Sequence, residues 1–555
     1  MTYQKLTDDL SVAGQINPND IAKLSAAGFK SIISNRPDGE GSDQPSFAEI
    51  ETTAKENGIA ARYIPVTTGT VTDEDAAKFS VVMSELPKPI LAYCRTGTRS
   101  TTLWALAEAD KRPMSDILSR AKDAGYDMSG IVRRITSAEE VRTDTPVDKY
   151  TVVIIGGGAA GAAVATSLLR RMSDINIAII EPSDTHYYQP GWTLVGGGVF
   201  SAKQTAKRMA AVLPKRATWI KAAVAGFEPE KNQVVIEGCR TISYDRLIVC
   251  PGLKLAWNAI EGLTETLGKN GVTSNYRYDL APYTWELVQG LKSGRAIFTQ
   301  PPMPIKCAGA PQKAMYLSGD HWFRTKRLAD IDISFHNAAG VLFAVSEYVP
   351  ALMEYIRKYN INLEFGHSLI SVDGPSKTAR FEKTLQDGTK ETIETQFDLL
   401  HVCPPQLAPD FIRASELADA AGWVDVDPQS LQHKKYDNIY GLGDVTNTPN
   451  AKTAAAARKQ APIVAENILE SLGFRDTRYV YDGYGSCPLT VERGKVVLAE
   501  FLYGGKVSST FPSALFDGKK PTRAAWILKA RLLPPIYWKV MLKGREWLAK
   551  PKVMA

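Results

Sequence analysis

The sequence predicts an α/β protein with a small N-terminal domain, a larger region built on parallel strands and a C-terminal pair of amphipathic helices. Three observations predict it. Residues Tyr150 to Glu181 read as a strand, a G-x-G-x-x-G turn, a helix and a second strand ending in an acid. Upstream, Pro89 to Tyr93 reads as a strand that opens into Cys94-Arg95-Thr96-Gly97-Thr98-Arg99 and a further helix. Downstream, the strand Ile439-Tyr-Gly-Leu-Gly-Asp444 stops at Gly443 and Asp444.

The chain of 555 residues is too long for one core and predicts several domains. Hydrophobic residues make up 44 % and charged residues 23 %, as in ordinary globular proteins. A net charge of +6 points to no polyanion, so no nucleic acid is expected as a partner. The six cysteines stand singly without a C-x-x-C, which argues against a disulfide framework and a zinc site and suits a reducing compartment. The N-terminus shows neither signal-peptide nor transit-peptide character, and no apolar run is long enough to span a bilayer.

From the start, strands are expected at Leu10 to Val12, Ser31 to Ser34 and Ala61 to Val66. Helices are expected at Asn17 to Gly28, Phe47 to Gly58 and Asp73 to Leu86. In the loop after Tyr93, backbone amides and a helix dipole converge on the Cys94 thiol, which lowers its pKa and cradles an anion, with Arg95 or Arg99 assisting. Helices through Met114 to Ala124 and Ser129 to Glu140 lead to a polar linker. The expected boundaries are 1–142 for this domain, 143–148 for the linker, 149–518 for the central region and 519–555 for the tail.

In the central region, Thr151 to Ile155 is a buried parallel strand. Gly156 permits the tight turn, Gly158 lets a pyrophosphate approach and Gly161 lets helix and strand pack closely, with Ala159 and Ala160 opening the helix. Glu181 is placed to accept from a ribose hydroxyl. This is a Rossmann-like dinucleotide-binding unit.

About the first 110 residues resemble the small domains, related to dual-specificity phosphatases, that occur beside sulfur-oxidation enzymes in beta-lactamase hydrolase-like sulfurtransferases. Phosphatases carry His-Cys and a longer loop; here Tyr93 precedes Cys94 and four residues separate it from Arg99, as in rhodanese loops that hold a persulfide. Thr67 to Thr70 offers no leaving-group acid, so sulfur transfer is expected ahead of phosphate hydrolysis.

The two dinucleotide signatures, in this order, resemble disulfide-reductase-type flavoproteins with two Rossmann-like domains, which identifies the dinucleotide as FAD. His186-Tyr-Tyr-Gln-Pro-Gly-Trp192, Pro304-Ile-Lys-Cys-Ala-Gly-Ala-Pro-Gln-Lys313, Ala420-Ala-Gly-Trp-Val-Asp-Val-Asp427, Lys452-Thr-Ala-Ala-Ala and Asp482-Gly-Tyr-Gly-Ser-Cys-Pro488 resemble sulfide:quinone oxidoreductases of the mitochondrial type. The resemblance implies FAD contacts from Trp192, Gly252, Gly443, Asp444 and Lys452, with a quinone as electron acceptor. Lys452 could equally be a solvated helix-start lysine, and His186 a proton mover or a packing residue. The stretch Ile331 to Gly340 has one glycine where a nicotinamide site needs three, which disfavours a type II NADH:quinone reductase.

The family's chemistry uses two cysteines beside the flavin. Cys307 supplies the first, and Val445 stands where the second is expected. Cys403 or Cys250 could substitute, Cys307 could work alone with a small thiol, or sulfide oxidation could be lost, leaving a sulfane-sulfur carrier or sensor. Cys487 is expected to be structural, and Cys239 receives no role. The tail breaks at Pro534-Pro535 into two short helices, the second with Lys539, Lys543, Glu546 and Lys550 on one face. Ten Lys/Arg against one Glu from Lys519 onward favour an anionic bilayer surface. The expectation is a peripheral protein on the cytoplasmic side of the inner membrane, acting on sulfide, glutathione-like thiols or persulfides and membrane quinone, with homo-oligomerisation left open.

Overall fold

The computed structural model describes residues 3–41, 44–67, 71–109, 111–126, 128, 148–237, 240–385, 387–512 and 517–553. The helix expected over Ser129 to Glu140, residues 143–147 of the linker, Thr68 to Thr70 and Cys239 lie outside them. Two compact units result, one of residues 1–147 with 221–227 and 234–242, the other of the remainder.

In the first unit the sheet runs Tyr3–Lys5, Leu10–Ala13, Ile90–Tyr93, Ser31–Ser34, Ala60–Tyr63. The first strand, absent from the sequence reading, is antiparallel to its neighbour and the rest are parallel. Side-chain alternation sorts the core onto two faces. Ile90 and Ala92 join Leu10, Val12 and Trp104 on one; Leu91 and Tyr93 join Ala13, Ile32 and Ile50 on the other. Helices Pro18–Ala26, Phe47–Glu56 and Asp73–Glu85 each start with a capping box, from Asn17, Ser46 and Thr72. The central strand Ile90–Tyr93 therefore delivers Cys94 to the start of helix Thr98–Ala107.

The second unit carries two parallel layers. In one, Thr218–Ile220, Ile177–Ile180, Asp148–Ile155, Thr241–Val249 and Ile439–Gly441 are successive neighbours. Helix Ala159–Arg171 packs on helix Ala454–Ser471 through Ala165, Leu168, Val464 and Ile468. In the other, the order is Val272–Thr273, Leu399–His401, Gly294–Gln300, Ile331–Asn337, Ile361–Phe365, all parallel. Helix Ala310–Arg324 follows the central strand of that sheet and is covered by the hairpin Gly485–Glu492 and Lys495–Phe501.

The tail departs from expectation. Pro534 and Pro535 do not break it: helix Arg523–Ile527 passes through a wide turn, Leu528–Leu532, straight into helix Leu533–Lys539. The prolines occupy the first positions of the new segment, where no N–H is needed, and the wide turn absorbs the lost hydrogen bonds. The second expected helix does not form. Beyond Lys539 the chain makes one tight turn, Met541–Lys543, and Gly544 takes a left-handed conformation (φ 61°). Glu546 leaves the expected basic face and accepts from Arg171 Nη1 and Nη2 at 2.5 and 2.8 Å and from Ser167 Oγ at 2.7 Å. Tyr537, Met541 and Leu542 are buried in the core of the first layer. Glu546→Ala leaves Arg171 part-buried with one of its two carboxylates and is expected to cost about 1–3 kcal/mol. Limited proteolysis should then cut the 523–553 segment at lower urea than in the unmodified chain.

Candidate functional site

The two glycine fingerprints of the second unit meet at the carboxyl ends of strands Asp148–Ile155 and Ile439–Gly441, both neighbours of strand Thr241–Val249. Gly156 (φ 98°) faces the Cys250 carbonyl, and a Cβ at Gly161 would lie 1.8 Å from the Gly156 oxygen. Gly158, by contrast, looks onto open space, with nothing within 4 Å of where a Cβ would stand. A turn closed behind and open in front fits a pyrophosphate at the start of helix Ala159–Arg171. Glu181 is fixed at its strand end, accepting from Gly157 N and Ser183 N, both at 2.8 Å. Gly443 (φ 78°) approaches Ala160, and its N–H donates to Gln460 Oε1 at 2.8 Å. Asp444 follows, its carboxyl raised by burial. Gly252 (φ 80°) likewise faces open space, and Trp192 is buried nearby in the chain fold of His186 to Gly198.

Lys452 is not a solvated lysine. It is buried, and its ammonium donates to the Asp444 and Thr446 carbonyls at 2.8 and 2.7 Å and lies 4.0 Å from the Trp423 ring centroid. Burial pulls its pKa down to about 8. Its own carbonyl accepts from Cys307 N at 2.8 Å, which stitches the cysteine loop to the Gly-Asp loop. His186 is a buried packing residue: its Nε2 meets Tyr537 Oη at 2.6 Å, and burial lowers its pKa to about 4.

Cys307 sits just before helix Ala310–Arg324 with a left-handed backbone (φ 49°). Its Sγ lies 3.5 Å from Cys487 Sγ and receives a 3.0 Å hydrogen bond from Lys313 Nζ. The Cys487 hydrogen bond, then Lys313, hold the Cys307 thiol well below its ordinary pKa, while the same contact and burial push Cys487 up. The Lys313 ammonium beside Cys307 favours negative charge on that sulfur of the pair. Burial opposes the Lys313 charge, but the two sulfurs raise its pKa and keep it protonated. A second ammonium, Lys529, arrives from the tail, is buried and donates to the Pro488 carbonyl at 3.1 Å; burial and then Lys313 bring it down to about 7.

Sequence reasoning assigned Cys487 to structure and missed Lys313 and Lys529. The other candidate thiols lie in tighter surroundings. Cys403 is buried, pushed up to about 12, with Gln406 Nε2 at 3.8 Å. Cys250 is buried, pushed up and directed at the Gly156 carbonyl at 3.7 Å. Val445 is fully buried.

In the first unit, Cys94 Sγ accepts from Gly97 N at 3.1 Å, and Gly97 (φ 87°) lies where any Cβ would strike Tyr126 Oη at 2.1 Å. Arg99 is buried against the same loop, donating to the Val66 carbonyl at 2.6 Å and to Glu40 Oε2 at 2.8 Å. Arg95 is exposed. Glu40, which no sequence signal marked, also accepts from Arg36 Nε at 2.7 Å. Burial pushes its carboxyl up, but the two guanidiniums hold it below the usual carboxylate range, so it is a poor proton donor at neutral pH. Among the described residues no cluster of ligands suited to a metal occurs.

Lys313→Met removes the cation from Cys307 and should raise the thiol's apparent pKa. The pH profile of iodoacetamide alkylation at Cys307, followed by peptide mass, should move up by about 1 unit or more. An unshifted profile would show that Lys313 does not hold the thiolate.

Residues 2–111 match the family described as beta-lactamase hydrolase-like protein, phosphatase-like domain, and residues 150–284 match pyridine nucleotide-disulphide oxidoreductase. The chain is 43 % identical over 402 residues to the mitochondrial sulfide:quinone oxidoreductase of Dictyostelium discoideum, covering 72 % of this chain and 87 % of that protein. It is 40 % identical over 135 residues to the beta-lactamase hydrolase-like protein of Agrobacterium fabrum, covering 24 % of this chain and 31 % of that protein. The fold matches the crystal structure of the Aquifex aeolicus sulfide:quinone oxidoreductase with a TM-score of 0.62 at 18 % identity, over 74 % of this chain and 97 % of that one. The cofactor is FAD. Together with the paired glycine fingerprints and the thiolate stitched to them, these matches show that the chain belongs to the sulfide:quinone oxidoreductases, with a phosphatase-like domain of the beta-lactamase hydrolase-like type at its N-terminal end.

Proposed function

We propose that the second unit oxidises sulfide to sulfane sulfur at Cys307 and passes two electrons through FAD to a membrane quinone, while Cys94 of the first unit moves sulfane sulfur between small thiols. The observation that carries this reading is the Cys307 thiolate, held by Lys313 and hydrogen-bonded through its N–H to the loop that ends the flavin fingerprint. Bound FAD supplies a two-electron acceptor. In the net step Cys307–S⁻ and HS⁻ form an S–S bond, releasing one proton and two electrons. Lys313 keeps charge on the sulfur before and after that bond forms. Entry of electrons from a nicotinamide is disfavoured: strand Ile331–Asn337 runs into Ala338-Ala339-Gly340, with one glycine and no phosphate turn.

For Cys94, the amide of Gly97 and the Arg99 guanidinium suit a persulfide as well as a thiolate. Glu40 between two arginines is unsuited to protonating an alcohol leaving group, which supports sulfur transfer over phosphate hydrolysis.

Anaerobically, sulfide should bleach the flavin and NADH should not. Cys94→Ser should abolish sulfur transfer from thiosulfate to glutathione yet leave bleaching intact. Bleaching by NADH alone would return the second unit to the nicotinamide enzymes. No bleaching by either would leave the sulfane-sulfur carrier. Cys94-dependent hydrolysis of an aryl phosphate without sulfur transfer would make the first unit a phosphatase.

The tail supports peripheral attachment. Among the described residues no helix is long and apolar enough to cross a membrane. On helix Arg523–Lys539, Ile527 (46 % exposed) and Leu532 (49 %) stand outward among the exposed Arg523, Arg531 and Lys539. Apolar residues ringed by cations suit the boundary of an anionic leaflet. The free thiols suit the reducing, cytoplasmic side. Replacing Ile527 and Leu532 by aspartate should abolish sedimentation with anionic vesicles and leave sulfide bleaching unchanged; undiminished sedimentation would place the attachment elsewhere.

A further inference from the structure

The Cys94 loop holds a carboxylate, Glu40, against the one guanidinium that its chemistry needs. We propose that Glu40 sets the substrate class of this loop: by holding Arg99 it admits the single terminal sulfur of a persulfide and turns away tetrahedral oxyanions such as phosphate. The proposal rests on the sulfur-transfer reading of the first unit and names what selects its substrate.

Three observations carry it. Arg99 is already engaged, with Nη1 donating to the Val66 carbonyl at 2.6 Å and Nη2 to Glu40 Oε2 at 2.8 Å. An oxyanion is gripped best by two parallel N–H groups of one guanidinium, and here both terminal nitrogens already serve the protein. Glu40 is also tethered from its other side. The same oxygen accepts from Arg36 Nε at 2.7 Å, and Arg36 Nη1 donates to Gln15 Oε1 at 3.0 Å. The Gln15 N–H then donates to the Arg95 carbonyl at 3.3 Å, so the ring closes on the cysteine loop itself. Arg36 and Arg99 are both buried, and neither can turn to solvent and release the carboxylate. Lastly, amides that an oxyanion would use have acceptors within the protein. Cys94 N donates to the Ala13 carbonyl at 3.4 Å, Gly97 N to Cys94 Sγ at 3.1 Å, and Thr98 N faces Thr96 Oγ1 at 3.5 Å.

Charge selects in the same direction. Two guanidiniums and one carboxylate leave one positive charge, which a Cys94 thiolate or persulfide neutralises. A phosphate dianion placed beside the thiolate would instead leave the ring two charges negative, at separations where like charges repel strongly. The sulfur steps keep the balance. The Cys94 thiolate attacks the outer sulfur of R–S–SH, a new S–S bond forms, and the old one breaks as the proton passes to the departing R–SH. The loop then holds Cys94–S–S⁻, with the charge it began with. A second thiol, R′–SH, takes the outer sulfur as R′–S–SH and returns the Cys94 thiolate.

The test is titration calorimetry of the full-length holoprotein with tungstate, a tetrahedral dianion. The unmodified chain should bind it no better than its Arg99→Met variant. Glu40→Gln keeps the shape and removes the charge, and should bind tungstate on the order of 10-fold more tightly than the unmodified chain. That gain should vanish in Glu40→Gln/Arg99→Met, which assigns it to the loop, and Glu40→Asp should behave as the unmodified chain does. Equal affinity in Glu40→Gln and the unmodified chain would overturn the proposal, as would a gain that survives loss of Arg99. Should Glu40→Gln fail to fold, the unmodified chain decides: Arg99-dependent tungstate binding overturns the proposal and its absence supports it. Failure of the unmodified protein to move sulfur from glutathione persulfide to a second thiol would sink the sulfur-transfer reading, while the tungstate titrations still decide whether Glu40 excludes oxyanions.

Discussion

The hydrogen bond from the Cys307 N–H to the Lys452 carbonyl is the constraint on which the rest of the sulfur site depends. Buried backbone groups must find partners, and a residue in the left-handed region needs its conformation imposed from outside. This contact does both. It fixes Cys307 at φ 49°, so that its thiol meets Lys313 one turn into the following helix. It also joins two segments that belong to different sheets: the loop after Gly294–Gln300 and the loop after Ile439–Gly441. The Lys452 ammonium extends the same junction to the Asp444 and Thr446 carbonyls. The cysteine loop and the Gly-Asp loop are thus registered against each other by backbone atoms, which side-chain substitution cannot easily displace.

The two units surround their loop cysteines by different physics. In the first, Cys94 relies on the Gly97 amide and Arg99, whose charge is shared with Glu40, a geometry suited to cradling a terminal sulfur at a loop. In the second, Cys307 relies on compact ammonium groups and on a neighbouring thiol. A guanidinium cannot give up its proton, whereas a lysine brought down to about 7, as Lys529 is, can carry or release one near neutrality. The first arrangement keeps its charge fixed. The second can let charge move while electrons leave.

What the sequence reveals here depends on whether the chemistry is local. The dinucleotide turn was legible because Gly156, Gly158, Gly161 and Glu181 act within one βαβ stretch, and the Cys94 loop because its amides and Arg99 are contiguous with the thiol. Glu40 was not, since it reaches Arg99 across the sheet from the loop after Ser31–Ser34. The contact between Cys487 and Cys307 was not legible either. Cys487 lies in a strand that reads as ordinary core, and nothing local to it announces a partner 180 residues away in the chain. The tail shows the opposite failure. Pro534-Pro535 is a strong local breaker signal, yet the wide turn before it lets the helix continue.

That wide turn sets a limit on length rather than on composition. Leu528–Leu532 holds one residue more than a regular turn would, and through it Lys529 points to the sulfur pair while Tyr537 still packs against Tyr188 and His186. Removing a single residue from the segment would rotate everything beyond it by about 100°. Tyr537 would then swing out of its aromatic nest, and the outward apolar face would lose its register with the basic residues around it. The tail can therefore drift in sequence at its exposed positions, but a one-residue deletion would uncouple its outward apolar face from the lysine anchored beside Cys487.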